Sequence, residues 1–125
     1  MTAPRLSSYE LARERTMMAL ERTQMAWVRT GLSMLTFGFS LLKFFEFVRQ
    51  EHPVHPSASR DLEPRSLGLA IMVLGLLTLS GATVQYVSER KRLGAPPARR
   101  SGAYLMSVVL ILVQAAALIW SLIAP

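Results

Sequence analysis

Three arginines stand one heptad apart where the chain's first apolar run begins: Arg15, Arg22 and Arg29, each followed by threonine, in RERTMMALERTQMAWVRT. Seven residues of α-helix turn through about 700°, so positions seven apart lie nearly in line. Continued in steps of four and three, the line takes in Ala19, Ala26, Ser33, Thr36, Ser40 and Lys43. One face is therefore basic, hydroxylated or small for about eight turns. Met17, Met18, Met25, Leu32, Leu35, Leu41 and Phe44 fall on the other sides.

No arginine of the stripe has an acidic residue three or four positions away on its own helix, so none can form a local ion pair. Three uses stay open. The arginines can meet lipid phosphates at a membrane surface. They can pair between subunits with Glu14 and Glu21, themselves a heptad apart. Or they can line the inside of a ring of identical helices, where stacked basic rings make a path for anions. Guanidinium suits the last use, since it stays charged and presents planar paired donors to phosphate oxygens. The hydroxyls at 33, 36 and 40 would then replace lost water, and Lys43 would add a final positive ring.

A membrane must position these residues. Residues 66–88 and 101–125 contain no charge, and each run exceeds the roughly 20 residues that cross a hydrocarbon core of about 30 Å. A further span reads from Trp27, at one interface, to Val48, with Lys43 snorkelling toward the other interface and Glu46 one turn on. The fold class is all-α: an integral membrane protein with three transmembrane helices, the first extended into the cytoplasm. The domain reading is a flexible tail at 1–8 and one three-helix domain at 9–125, with helices near 9–49, 66–92 and 103–124. Ser7 or Ser8 can cap the first helix, with Glu10 in its first turn. Prolines at 53, 56 and 64 mark one loop, and LGAPPARRSG (93–102) marks the other. No cleaved signal is expected, because the first 29 residues mix arginine with glutamate and hold no small-residue cleavage site.

Lysine and arginine gather before residue 30 and in the second loop, around Arg90, Lys91, Arg92, Arg99 and Arg100. The positive-inside rule then puts the amino terminus and second loop in the cytoplasm, and the carboxyl terminus outside. The net charge of +6 follows from this topology and requires no nucleic acid. Small residues at Gly68, Gly75 and Ala82 recur at seven, as do Gly31 and Gly38 opposite the arginines. They read as helix-packing positions, as do the polar Ser107, Gln114 and Ser121. His52 and His55 sit in a proline-bearing loop and make no metal site. Without cysteine, a Ser/His/Asp set or a phosphate-binding glycine loop, the expectation is no cofactor and no enzyme.

Glu21-Arg22-Thr23, Ala26-Trp27, Arg29-Thr30-Gly31 and Leu32 resemble the opening signature of the YidH-like bacterial inner-membrane family, domain of unknown function 202. The resemblance covers roughly residues 11–123 and implies an inner-membrane location. The same pattern is similar to the membrane domain of the eukaryotic vacuolar transporter chaperone proteins. Those pass newly made polyphosphate across a membrane, and in that domain the first helices of several subunits surround a basic channel. The resemblance implies that Arg22 and Arg29 line such a channel; Arg15 and Lys43 join them through periodicity alone. The 125-residue chain has no room for a polymerase. The expected function is a small homo-oligomeric membrane module with a basic path for phosphate-like polyanions. The alternative is a non-conducting structural or regulatory subunit that docks lipid headgroups or a partner protein.

Overall fold

The structure is a computed structural model that describes residues 7–51 and 64–123. The loop histidines and the tail before Ser7 lie outside the described residues. Three helices carry the fold: α1 (Ser8–Glu51), α2 (Pro64–Arg92) and α3 (Gly102–Ile123), with a 3₁₀ turn at Ala98–Arg100 before α3. Among the described residues there is no strand.

Local chemistry sets the ends. Ser7 caps α1 reciprocally with Glu10: its backbone N–H donates to Glu10 Oε2 at 2.7 Å, and its Oγ accepts from the Glu10 N–H at 3.3 Å. The spacing Ser-x-x-Glu is that of a capping box. At the far end of α2, Gly94 takes φ +61°. Its N–H donates to Lys91 O at 3.0 Å, and that of Ala95 donates to Arg90 O at 3.1 Å. This is a Schellman stop, and it uses glycine because other residues resist the left-handed region. Pro96 and Pro97 then prevent the helix from resuming.

The helices pack with their neighbours antiparallel. On α1 and α2, Gly31 meets Leu79, and Gly38 meets Met72 and Gly68. A Cβ on Gly38 would stand 2.9 Å from the Gly68 carbonyl oxygen, so the two backbones touch there as small-residue pairing permits. On α2 and α3, Gly75 abuts Gln114, Tyr86 reaches Ser101, and Arg65 donates to Ser121 O at 3.0 Å.

The distribution of polarity is inverted relative to a water-soluble bundle. Met72 and Leu79 form the fully buried apolar centre, but Gln24, Gln114 and Ser107 are as deeply buried beside them. Large apolar side chains instead cover the outside, among them Leu77, Val84, Leu112 and Trp120. An outer surface of this kind marks contact with lipid rather than water. All three helices are long and apolar enough to cross a bilayer, and the chain is a multi-pass membrane protein.

Candidate functional site

The rotation of α1 about its axis is set by polar contacts on its inner face. Gln24 Nε2 donates to Thr83 Oγ1 at 3.0 Å and to Ser107 Oγ at 2.7 Å, clasping all three helices. Each hydroxyl gives its own proton back to its helix, Thr83 to Leu79 O and Ser107 to Ala103 O, both at 2.8 Å. The acceptors thus have lone pairs free for Gln24. Gln24, Gly31 and Gly38 are α1's buried residues, spaced at sevens, so one narrow seam faces the bundle.

A second cluster closes the end where the α2–α3 turn lies, called here the basic end. Arg90 is 6% exposed. Its Nη1 donates to Tyr86 Oη at 2.7 Å and approaches Glu21 Oε1 at 3.3 Å, while Nη2 donates to Pro96 O at 3.3 Å. Ser101 Oγ donates to the same Glu21 oxygen at 3.0 Å and lies 2.8 Å from Tyr86 Oη. Arg13 of α1 also donates to the Gly94 carbonyl. The carboxylate and the phenol satisfy most of a charge that would otherwise be costly to bury. Glu21, expected from sequence to pair between subunits, is therefore engaged within its own chain. The acid meets Arg90 because both stand on inner faces at the same level. Glu14 is exposed and makes no bond with the described residues.

With the seam inside, the arginine stripe turns outward. Arg15, Arg22, Arg29, Ser33, Thr36, Ser40 and Lys43 are all exposed on the side of α1 away from α2 and α3. Neither of the two hollows among the described residues is lined by the stripe. Arg15, Arg22 and Arg29 have no hydrogen bond or ion pair with the described residues. Three members differ from the sequence expectation. Lys43 pairs with Glu46 at 2.7 Å, so its charge is offset one turn away and it is not an isolated positive ring. Ser33 and Thr36 spend their protons on Arg29 O at 3.0 Å and Leu32 O at 2.9 Å. As placed, they offer lone pairs, and each must rotate its O–H to donate to an anion.

The helix pairings also fix depth. Gln24 is level with Ser107, and α1 runs parallel to α3. Arg29, five residues on, is then level with about Leu112, roughly 15 Å from the start of α3 and close to its middle. Measured on α2, where Gly31 meets Leu79, Arg29 is level with about Gly81. That is roughly 10 Å inside the end of the uncharged run. Trp27 is level with about Thr83, roughly 3 Å nearer the basic end. α1 must share a slab with its partners, and its uncharged stretch alone does not reveal the register. Lys43, level with about Leu67, is near the opposite boundary. Arg29 is thus an outward-facing guanidinium roughly a third of the way into α2's uncharged run, with the exposed Leu32 one turn on along its own helix.

Sequence reasoning singled out neither Gln24 nor the Tyr86–Arg90–Ser101 cluster. Gln24 is seven before Gly31, and extending the glycine seam by one heptad finds it. Arg90 gives no such signal, since it sits in a run of basic residues that topology explains.

The sequence matches the family model described as Domain of unknown function (DUF202) over residues 15–92. No curated protein and no solved structure matches the chain. The matched stretch begins at Arg15 and ends at the last residue of α2. It thereby contains the outward stripe, the glycine seam and the Glu21–Arg90 pair, and the chain belongs to the DUF202 family.

Proposed function

We propose that several copies of this chain assemble with their α1 stripes facing a shared central path, and that the path carries phosphate-like anions without chemical turnover. The observation that carries the reading is Arg29, outward, unpaired among the described residues and about 10 Å inside the end of α2's uncharged run. An arginine at the bilayer centre costs about 2.5–3.5 kcal/mol even on lenient insertion scales. Arg22 can reach a headgroup by snorkelling, whereas Arg29, two turns deeper, must stretch its whole side chain along the helix to do so. Water and anions inside a ring of copies relieve the cost, and the guanidinium's paired donors suit phosphate oxygens. The likeness of Glu21 to Leu32 to the vacuolar transporter chaperone membrane domain supports the same arrangement.

The asymmetry of lysine and arginine supports an inner-membrane orientation with the amino terminus and the 93–102 turn in the cytoplasm. The test is flux. Purified protein reconstituted in liposomes should pass orthophosphate or short polyphosphate, and Arg29→Gln should lower that flux by tenfold or more with assembly retained. Wild-type liposomes as tight as empty ones would refute conduction, and loss of assembly in the variant would then favour a docking subunit.

A further inference from the structure

At the basic end, on the side of the bundle away from the stripe, α2, the turn and α3 form an open-sided hollow. It measures about 180 Å³, roughly six times a water's share of liquid volume. Arg90, Lys91, Arg99 and Tyr104 line it, with Ala95 and the two prolines between them. Two exposed cations, Lys91 and Arg99, and the buried Arg90 thus line one small space. The acid nearest Arg90 is Glu21, already shared with Tyr86 and Ser101, and Glu89 pairs with Arg92 at 3.4 Å. Lys91 and Arg99 are exposed and have no ion pair with the described residues. Arg90 itself is buried, with its terminal nitrogens engaged by Tyr86, Glu21 and Pro96 and its Nε inaccessible, so it contributes charge at close range and not a contact. Positive charge is therefore in excess here, and the hydrogen-bonding capacity is mainly that of donors.

The hollow does not end at the turn. A second hollow shares Val87, Lys91 and Tyr104 with it and continues along α2 past Val84 and Thr83. Ser88 also lines it near Lys91; Thr83, at the deeper end and level with Gln24, has its hydroxyl already committed to Leu79 O and Gln24, so Val84 and Val87 make the deeper wall apolar. It leads from the basic end toward the depth of the bilayer. A free anion would use only the charged part. A molecule with a phosphate at one end and a hydrocarbon chain at the other would use both.

We propose that this site binds an anionic phospholipid of the leaflet at the basic end, with its phosphate against the exposed Lys91 and Arg99 and an acyl chain along the groove between α2 and α3. Basic pockets between transmembrane helices hold acidic headgroups on the same physical basis. The inference is independent of the proposed conduction path, since it concerns the opposite side of the bundle and needs no oligomer.

The experiment is native mass spectrometry of the full chain released from nanodiscs of equal phosphatidylglycerol and phosphatidylcholine. Wild type should retain about one phosphatidylglycerol per chain in preference to phosphatidylcholine. Lys91→Ala with Arg99→Ala should lower that retention roughly fivefold for each cation removed, about 25-fold together. Both side chains are exposed and unbonded, so the variant should keep the wild-type unfolding temperature. Val87→Trp, which fills the groove with every cation intact, should also reduce retention. Equal retention of the two lipids, or unchanged retention in the double variant, would overturn the site. Displacement of phosphatidylglycerol by inorganic phosphate, or indifference to Val87→Trp, would overturn the lipid assignment in favour of a free-anion site.

Discussion

Three helical glycines receive the same substitution in three different surroundings, and the close approach of α1 and α2 predicts different outcomes for each. A Cβ on Gly81 would meet nothing within 4 Å. Gly81→Ala should therefore show only the helix-propensity gain, about 1 kcal/mol. A Cβ on Gly31 would lie 3.1 Å from Leu79 Cδ2, the end of a flexible side chain. A shift of a few tenths of an ångström suffices, and Gly31→Ala should stay within about 0.5 kcal/mol of wild type, because this crowding offsets most of the propensity gain. A Cβ on Gly38 would lie 2.6 Å from Met72 Cγ and 2.9 Å from Gly68 O. The carbonyl belongs to a helix backbone, so α1 and α2 must separate. Overpacking of that kind costs about 1–3 kcal/mol. Because propensity cancels between Gly38→Ala and Gly81→Ala, their difference isolates this cost. Reversible unfolding in mild detergent, followed by circular dichroism, reads it directly. Equal stability of the two variants would refute the backbone contact between α1 and α2.

Other substitutions probe the polar contacts. Gln24→Leu removes two interhelical hydrogen bonds but orphans no donor, since Thr83 and Ser107 keep their protons on their own helices. At about 0.6 kcal/mol per bond in a membrane protein, unfolding should show a loss near 1 kcal/mol, and a loss above about 3 would mean the clasp does more. Glu21→Ala removes the carboxylate beside Arg90 while Tyr86 and Pro96 O remain. The Glu21 side chain is 47% exposed, so the cost should fall below the 3–5 kcal/mol of a broken buried pair, at about 1–2 kcal/mol. A double-mutant cycle with Tyr86→Phe should be non-additive; strict additivity would show that the cluster does not act as a unit.

Much of the fold was legible because its signals are long or local. Two uncharged runs of more than 20 residues announce spans, Ser7 and Glu10 announce a capping box, and LGAPP announces a helix stop. Periodicity also showed that Gly31 and Gly38 lie opposite Arg22 and Arg29. What it could not show is register between helices. Depth depends on which residue of α1 stands beside which of α3, and only the contact between Gln24 and Ser107 supplies that. Hence sequence alone does not show that Arg29 lies about 10 Å inside the end of α2's uncharged run. Glu21 illustrates a second limit. On a helix that also carries outward charges, an acid gives no sign of whether it faces a neighbouring copy or a buried Arg90 of its own chain. The fate of hydroxyl protons is a third, since Ser33 and Thr36 can bond either their own helix or a passing ion with the same sequence.

The central claim is that the α1 stripe faces water shared between copies, and cysteine accessibility tests it most directly. The chain contains no cysteine, so each introduced thiol is the one reactive thiol present. In intact proteoliposomes, a charged membrane-impermeant thiol reagent should modify Arg22→Cys, Arg29→Cys, Ser33→Cys and Ser40→Cys. It should spare Leu112→Cys and Leu77→Cys, which are at similar depth on the lipid-facing surface. The stripe thiols should also crosslink between copies under mild oxidation. An Arg29→Cys variant as inert as Leu112→Cys, with no crosslinked product, would place the stripe against lipid and contradict the account.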